Sequence, residues 1–131
     1  MRISVTAMAL GIVLGSVLGA CGNTQRSQRD LVREGRAVYE RTCAACHGVD
    51  LRGTEGAGPP FLNKIYAPDH HPDQTFYDAV ENGVEQHHWN FGNMPAQTTV
   101  DEADLEAIIA YVRSRQRDAG ITGESTPRAT P

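Results

Sequence analysis

The sequence has few cysteines, few aromatic residues and no block of like charge. Three cysteines and an aromatic content of 6% occur in 131 residues, and the formal net charge is −4. The absence of a basic excess excludes nucleic-acid binding by bulk electrostatic attraction. No strand pattern of useful length occurs either, so we expect one all-α domain in a chain of this length.

The first twenty residues contain a single charge, Arg2, followed by an uncharged run from residue 3 to residue 20. This arrangement is typical of an export signal, although about 18 apolar residues can also span a membrane. The residues "LGAC" that close the run resemble the lipobox of bacterial lipoproteins. The resemblance implies cleavage before Cys21 and lipid attachment to its sulfur. An uncleaved anchor helix is the alternative, and both versions tie the rest of the chain to a membrane outside the cytoplasm.

Polar segments flank the central part of the chain. We expect residues 1–20 to be the signal peptide, residues 21–29 to be the lipidated cysteine with a flexible tether, and residues 118–131 to be a disordered tail. The folded domain then occupies residues 30–117.

Cys43 and Cys46 are followed directly by His47 in "CAACH". This cysteine spacing is compatible with a disulfide, a zinc site, a thioredoxin-like pair or haem attachment. Residues three apart share a helix face, so both sulfurs can reach the vinyl groups along one porphyrin edge while His47 offers a nitrogen to the iron. Zinc would need a second ligand pair at finger-like spacing, and a thioredoxin-like pair would need a βαβ context. The pattern therefore favours covalent haem.

Two partly apolar segments are predicted to form the terminal helices of the domain. The first runs from Asp30, its expected N-cap, into the cysteines, and the second begins with a capping-box motif, "TVDE", at residues 99–102. A short helix is expected in "DQTFYDAVENGV", with Asp73 as its cap. Long loops rich in glycine and proline connect these helices, so the apolar core would be poor unless a large flat ligand fills its centre.

Gly35 lies inside the first predicted helix. A glycine there costs about 1 kcal/mol relative to alanine, which indicates a close approach by another element, and the last helix is the candidate. The alternative is a glycine tolerated on a solvated face.

Residues 30–117 resemble the small monohaem class I cytochromes c. The resemblance is carried, in this order along the chain, by "YERTCAACHG" together with the helical residues before it, "GAGPPFL", "NMP" and "DLEAIIAYVRS". It implies an all-α class I cytochrome c fold in which three to four helices and long loops surround one covalently bound haem c. It further implies attachment at Cys43 and Cys46, with His47 as the proximal iron ligand and Met94 as the distal ligand.

The same resemblance implies two further contacts. The carbonyl of Pro59 would accept a hydrogen bond from the His47 ring, and Gly35 would pack on Tyr111 of the last helix.

Met94 is also singled out by the sequence itself. The other methionines, Met1 and Met8, fall in the export segment, and Met94 lies 47 residues after His47, which allows the chain to wrap over a haem. His87 and His88 are rival ligands, and the remaining alternative is that Met94 only fills core space.

Four histidines lie outside the haem motif: His70, His71, His87 and His88. They could bind copper or zinc. If residues 73–83 are helical, the two pairs lie about 16 Å apart and meet only where a loop folds back, which argues against one shared site. Ordinary loop positions and a favourable helix dipole are the alternative explanation.

These features predict a membrane-tethered electron carrier in the cell envelope, facing the periplasm. With both axial positions of the iron filled, no catalysis and no small-molecule substrate are expected. The partners would be envelope redox proteins, and the acidic net charge favours a partner with a basic face. The alternatives are a haem protein with an additional histidine-based copper or zinc site, and a peroxidase-like or gas-binding haem enzyme with an open axial position.

Overall fold

Four α-helices, one 3-10 helix and their connecting loops make up residues 26–123, the part of the chain that the computed structural model describes. Within this range the β-structure is limited to two isolated antiparallel bridges, Thr54–Gly58 and Val84–Met94. The prediction of an all-α domain is confirmed. The helices are α1 (Gln28–Thr42), α2 (Ala44–His47), the 3-10 helix (Lys64–Tyr66), α3 (Asp73–Asn82) and α4 (Glu102–Asp118).

α1 and α4 cross at Gly35, which is buried. A Cβ atom at this position would lie 1.8 Å from the carbonyl oxygen of Ala107, so only glycine permits the approach. The predicted contact with the last helix is confirmed. The resemblance implied that Gly35 packs on Tyr111, and this part of the prediction is wrong. The atoms nearest to Gly35 belong to Ala107 and Ile108. The Tyr111 ring packs instead on Tyr39, one turn further along both helices, with 5.5 Å between the ring centroids.

The N-caps of α1 and α4 differ from those predicted. Ser27 caps α1, and its Oγ accepts a hydrogen bond from the backbone N–H of Asp30 at 3.2 Å. Asp101 caps α4, and its Oδ1 accepts from the N–H of Asp104 at 2.8 Å, so the "TVDE" motif forms no capping box. Serine, threonine and aspartate all cap well. Residue type alone therefore could not decide between neighbouring candidates.

Arg113 joins the loop before α3 to α4. Its side chain is only 8% exposed and donates to the Asp73 carboxylate at 2.7 Å and to the backbone carbonyls of Tyr66 and His71. The sequence predicted Asp73 as the N-cap of α3, but Pro72 occupies that position and Asp73 is the first residue of the helix. The Asp73 carboxylate forms the ion pair with Arg113 instead of capping the helix. The loop that carries two of the four additional histidines is fixed to the helical frame by this guanidinium.

The folded region extends beyond both predicted boundaries. α1 begins at Gln28, inside the predicted tether, and Arg26 forms an ion pair with Glu34 at 2.9 Å. At the other end, the N–H of Ile121 donates to the carbonyl of Gln116 at 2.8 Å, so the chain after α4 returns onto that helix. Between residues 26 and 123, no helix has the length and hydropathy needed to cross a membrane. The predicted signal peptide, the lipid-attachment cysteine and residues 124–131 lie outside the described residues.

Candidate functional site

A predominantly apolar cavity of about 530 Å³ lies between α2, α3, one face of α4 and residues 83–97. Its volume is typical of small-molecule sites, which range over roughly 300–1,000 Å³. The cavity lining includes all five side chains that the sequence singled out for a haem: Cys43, Cys46, His47, Pro59 and Met94. The structure therefore brings the proposed attachment and ligand residues to one place.

α2 follows α1 almost without interruption and presents the cysteines to this cavity. The N–H of Cys43 donates to the carbonyl of Tyr39 at 2.8 Å, and the N–H of His47 donates to the carbonyl of Cys43 at 2.9 Å. Cys43 is half-buried, Cys46 is exposed, and both are free thiols, so no disulfide joins them. Burial raises the pKa of the Cys43 thiol, which the hydrogen bond with Thr42 partly offsets.

His47 is buried, with 7% of its surface exposed. Its Nδ1 lies 2.9 Å from the carbonyl oxygen of Pro59 and donates to it, since a carbonyl can only accept. Burial lowers the pKa of His47, and the bond to Pro59 acts in the opposite direction. A neutral ring with Nδ1 protonated keeps the lone pair on Nε2, which is the form that binds a metal.

Two contacts fix the position of His47 further. Its ring stacks on Phe61, with centroids 4.2 Å apart and an interplanar angle of 19°. The hydroxyl of Tyr39 donates to the carbonyl of Gly48 at 2.7 Å and so ties the residue after His47 to α1. Phe61 belongs to the "GAGPPFL" motif, but no role was predicted for it, because stacking between residues this far apart has no local sequence signal.

Met94 reaches the cavity on a closed loop. Val84 and Met94 exchange both backbone hydrogen bonds, each 2.9 Å long, and Gly83 makes the turn out of α3 with a φ of 76°. The side chain of Met94 is half-buried. His87 lines the same cavity, so the loop also carries one of the two rival ligands to this place.

The residues present fit a covalently bound haem. Two free thiols three positions apart, a neutral imidazole with its Nε2 available and a thioether all face one apolar cavity. The cavity therefore offers two thiols for covalent attachment and a histidine nitrogen and a methionine sulfur as ligands for the iron of a c-type haem.

The four additional histidines lie together, against the expectation that α3 keeps the two pairs apart. Nε2 of His70 lies 3.3 Å from Nε2 of His88, and the ring centroids of His71 and His88 are 5.3 Å apart. The loop after α3 folds back because Trp89 stacks on Tyr66, with parallel rings 5.5 Å apart. Burial, and then repulsion from the neighbouring histidines, lowers the pKa of His71.

Arg113 and Gln116 are structural residues of this region that sequence reasoning missed. Gln116 is fully buried and donates to the carbonyls of Phe61 and Tyr66 at 2.9 and 3.0 Å. Both side chains sit near the end of α4, where polar residues ordinarily face water. Their spacing of three residues places them on one helix face. No pattern in the sequence distinguishes that face from a solvated one.

The chain matches a protein-family model described as Cytochrome c over residues 32–116. Cytochrome c-551 of Bacillus subtilis is 24% identical over 125 residues, which cover 88% of this chain and 100% of that protein. The CcoP subunit of the cbb3-type cytochrome c oxidase of an Azospirillum species is 31% identical over 101 residues, which cover 70% of this chain and 31% of the subunit. Cytochrome c oxidase subunit 2 of Alkalihalophilus pseudofirmus is 32% identical over 107 residues, which cover 75% of this chain and 30% of that subunit. No solved structure shows a significant match.

The matched region contains the whole cavity lining named above, from Cys43 to Met94. The chain spans all of the small Bacillus protein but less than a third of the two oxidase subunits. Membership of the matched family implies covalently bound haem c and a role in electron transfer. The chain belongs to the cytochrome c family.

Proposed function

We propose that this protein is a carrier of single electrons that holds one haem c through thioethers at Cys43 and Cys46. The observation that carries the proposal is the shared cavity, in which both thiols, Met94 and a buried His47 oriented by Pro59 meet. Bound haem supplies an iron that alternates between Fe(II) and Fe(III).

The residues of the chain would act mainly by fixing and shielding that iron. His47 offers Nε2 as the proximal ligand, while the carbonyl of Pro59 holds the ring and increases its basicity through the Nδ1–H bond. The apolar lining excludes water and lowers the local dielectric, which are two of the means by which proteins set a haem potential.

Met94 is the distal ligand in this proposal. Its backbone is fixed by the paired hydrogen bonds to Val84, and the following Pro95 restricts the chain at that point. A soft thioether favours Fe(II), so ligation by histidine and methionine gives a higher potential than two imidazoles. With His47 and Met94 both bound to the iron, no position would remain for a substrate, so the protein would act as a carrier rather than an enzyme.

The partners we propose are redox proteins of the cell envelope. Similar sequences occur in subunits named for cytochrome c oxidases and for the cytochrome bc1 complex, for example in Corynebacterium efficiens at 28% identity.

We propose further that a lipid on Cys21 tethers the domain to the membrane, on the strength of "LGAC" alone. Cys21→Ala should then move the protein to the soluble envelope fraction with its haem intact. A variant that stays in the membrane fraction with residues 1–20 uncleaved would support the anchor helix instead.

The attachment is tested on the protein produced with its haem. Haem should remain on the chain through acid–acetone extraction and denaturing electrophoresis, because thioethers do not exchange as coordinate bonds do. Cys43→Ala and Cys46→Ala should each weaken this retention. The reduced protein should show narrow α and β bands that carbon monoxide leaves unchanged. Release of free haem contradicts covalent attachment, and a spectrum altered by carbon monoxide favours the open-site enzyme.

The distal ligand is tested by the weak far-red absorption band of Fe(III) bound to a methionine sulfur. We expect the band in the oxidised wild type, its loss in Met94→Ala, and its retention in His87→Ala and His88→Ala. A wild type that lacks the band at neutral pH would contradict methionine ligation and favour His87 or His88 as the ligand.

A further inference from the structure

We propose that His70, His71 and His88 form a second metal site, separate from the haem, which binds a divalent transition-metal ion and whose geometry favours Zn²⁺. One ring nitrogen from each of these histidines lies within 4.8 Å of the corresponding nitrogen of the other two. Imidazole is a preferred ligand of Zn²⁺ and Cu²⁺ and a poor one for Mg²⁺. The three rings come from the two loops at opposite ends of α3.

The distance between Nε2 of His70 and Nε2 of His88 is 3.3 Å. Two nitrogens bound to one tetrahedral Zn²⁺ at about 2.0–2.1 Å lie about 3.3–3.4 Å apart, which matches this separation. The two rings therefore already stand at the separation that a shared ion requires.

His71 is oriented as a metal ligand usually is. Its Nδ1 donates to the carbonyl of Ile65 at 2.6 Å, which leaves Nε2 with the lone pair. Ligating histidines almost always donate their other ring N–H to a carbonyl or carboxylate in this way, and the contact fixes both tautomer and ring direction.

The cluster is supported by contacts outside the histidine rings. Arg113 donates to the backbone carbonyl of His71, and it also binds the carboxylate of Asp73. On the other loop, Trp89, next to His88, stacks on Tyr66. Both loops are therefore tied to the same buried part of the domain. His70 and His88 are themselves exposed, which leaves a fourth coordination position open to water or to another ligand.

The proposal is tested by titrating Zn²⁺ into the haem-loaded protein, in competition with a chromophoric chelator. We expect one ion per chain with micromolar or tighter affinity, Cu²⁺ binding at the same site, and no binding of Mg²⁺. His70→Gln and His88→Gln should each weaken Zn²⁺ binding by at least about tenfold, since each removes one of three ligands. These two positions are exposed, so their variants test the ligands with little risk to folding.

His87→Gln is the matched control. His87 is an exposed histidine beside His88, but it does not belong to the group of three, and its Nδ1 donates to the carbonyl of Glu85. Its replacement should change Zn²⁺ affinity less than about threefold, a free-energy change below about 0.7 kcal/mol.

Three results would overturn the proposal: no Zn²⁺ binding tighter than about 10 μM, unchanged affinity in both His70→Gln and His88→Gln, or an equal loss in His87→Gln. The haem spectrum of each variant should match that of the wild type. A change in that spectrum would show that these histidines bind the haem iron instead. Failure of covalent haem attachment would be seen in the extraction assay, which does not depend on Zn²⁺.

Discussion

The two walls of the proposed haem cavity are built differently. The proximal wall, residues 43–60, continues directly from helix α1 and is fixed to it by backbone hydrogen bonds and by the hydroxyl of Tyr39. The distal wall, residues 83–95, is a loop closed by one pair of backbone bonds and a few side-chain amides, with both of its histidines exposed. The proposed attachment residues thus lie directly after α1, whereas the proposed sixth ligand, Met94, and one of the three proposed zinc ligands, His88, lie on the distal wall.

The two walls also differ in the interactions that stabilise them. Behind the proximal wall, α1 and α4 pack so closely that a side chain larger than hydrogen is excluded at Gly35. In the distal wall each closing hydrogen bond contributes only about 1 kcal/mol. Substitutions behind the proximal wall should therefore destabilise the whole domain, while those in the distal wall should change local opening.

The largest effect is expected for Gly35→Val, which places atoms where the Ala107 carbonyl lies. Separation of α1 and α4 should lower the free energy of unfolding by about 3 kcal/mol or more, at or above the upper end of the usual range of about 1–3 kcal/mol for overpacking. Ala37→Val, at an exposed position of the same helix, is the control and should cost about 0.5 kcal/mol through helix propensity. Urea denaturation of the haem-loaded variants measures both values. Equal losses for the two would contradict a steric role for Gly35.

A smaller loss is expected for Arg113→Ala, which removes the donor shared by Asp73 and two backbone carbonyls. Charged hydrogen bonds of this kind predict a decrease of about 2–4 kcal/mol in the free energy of unfolding. Arg115→Ala is the control, since Arg115 is exposed and lies 3.7 Å from Asp118, and its loss should be below about 0.5 kcal/mol. Arg113→Ala should also weaken Zn²⁺ binding, because it releases the loop of His70. Unchanged stability in Arg113→Ala would show that water replaces the guanidinium at no cost.

The smallest effect is expected for Asn93→Ala in the distal wall. Its Oδ1 accepts from the backbone N–H of Gln86 at 3.1 Å, so global stability should fall by only about 0.5–1 kcal/mol. Amide hydrogen exchange at Gln86 should accelerate, whereas exchange in α1 should change little. Asn90→Ala, an exposed asparagine of the same loop, serves as the comparison and should leave exchange at Gln86 unchanged. Equal acceleration in α1 and in the loop would contradict a separately opening distal wall.

Much of the site could be predicted because its parts are close in the sequence. Cys43, Cys46 and His47 lie within one helical turn, so their spacing alone places two thiols and an imidazole together. The periodic apolar residues of α1 and α4 likewise predicted both helices, with starts wrong by two or three residues. Those starts could not be fixed because several good N-cap residues adjoin each helix.

The meeting of the histidines could not be predicted in this way. His70 and His88 are 18 positions apart, and the length of α3 alone argued for separation. What brings them together is the return of the distal loop, which depends on the stacking of Trp89 on Tyr66 and on the Val84–Met94 bridge. Neither contact has a periodicity or a turn motif that marks it in the sequence.

The sequence by itself determined the haem motif, the all-α class and Met94 as the one methionine between residues 26 and 123, because each rests on residue type or on spacings within a few turns of helix. Only the tertiary structure decided which atoms face Gly35, that Arg113 is buried, and that the two histidine pairs share one place. Those outcomes depend on contacts between segments distant in the chain, whose formation is governed by packing and loop closure rather than by local preference.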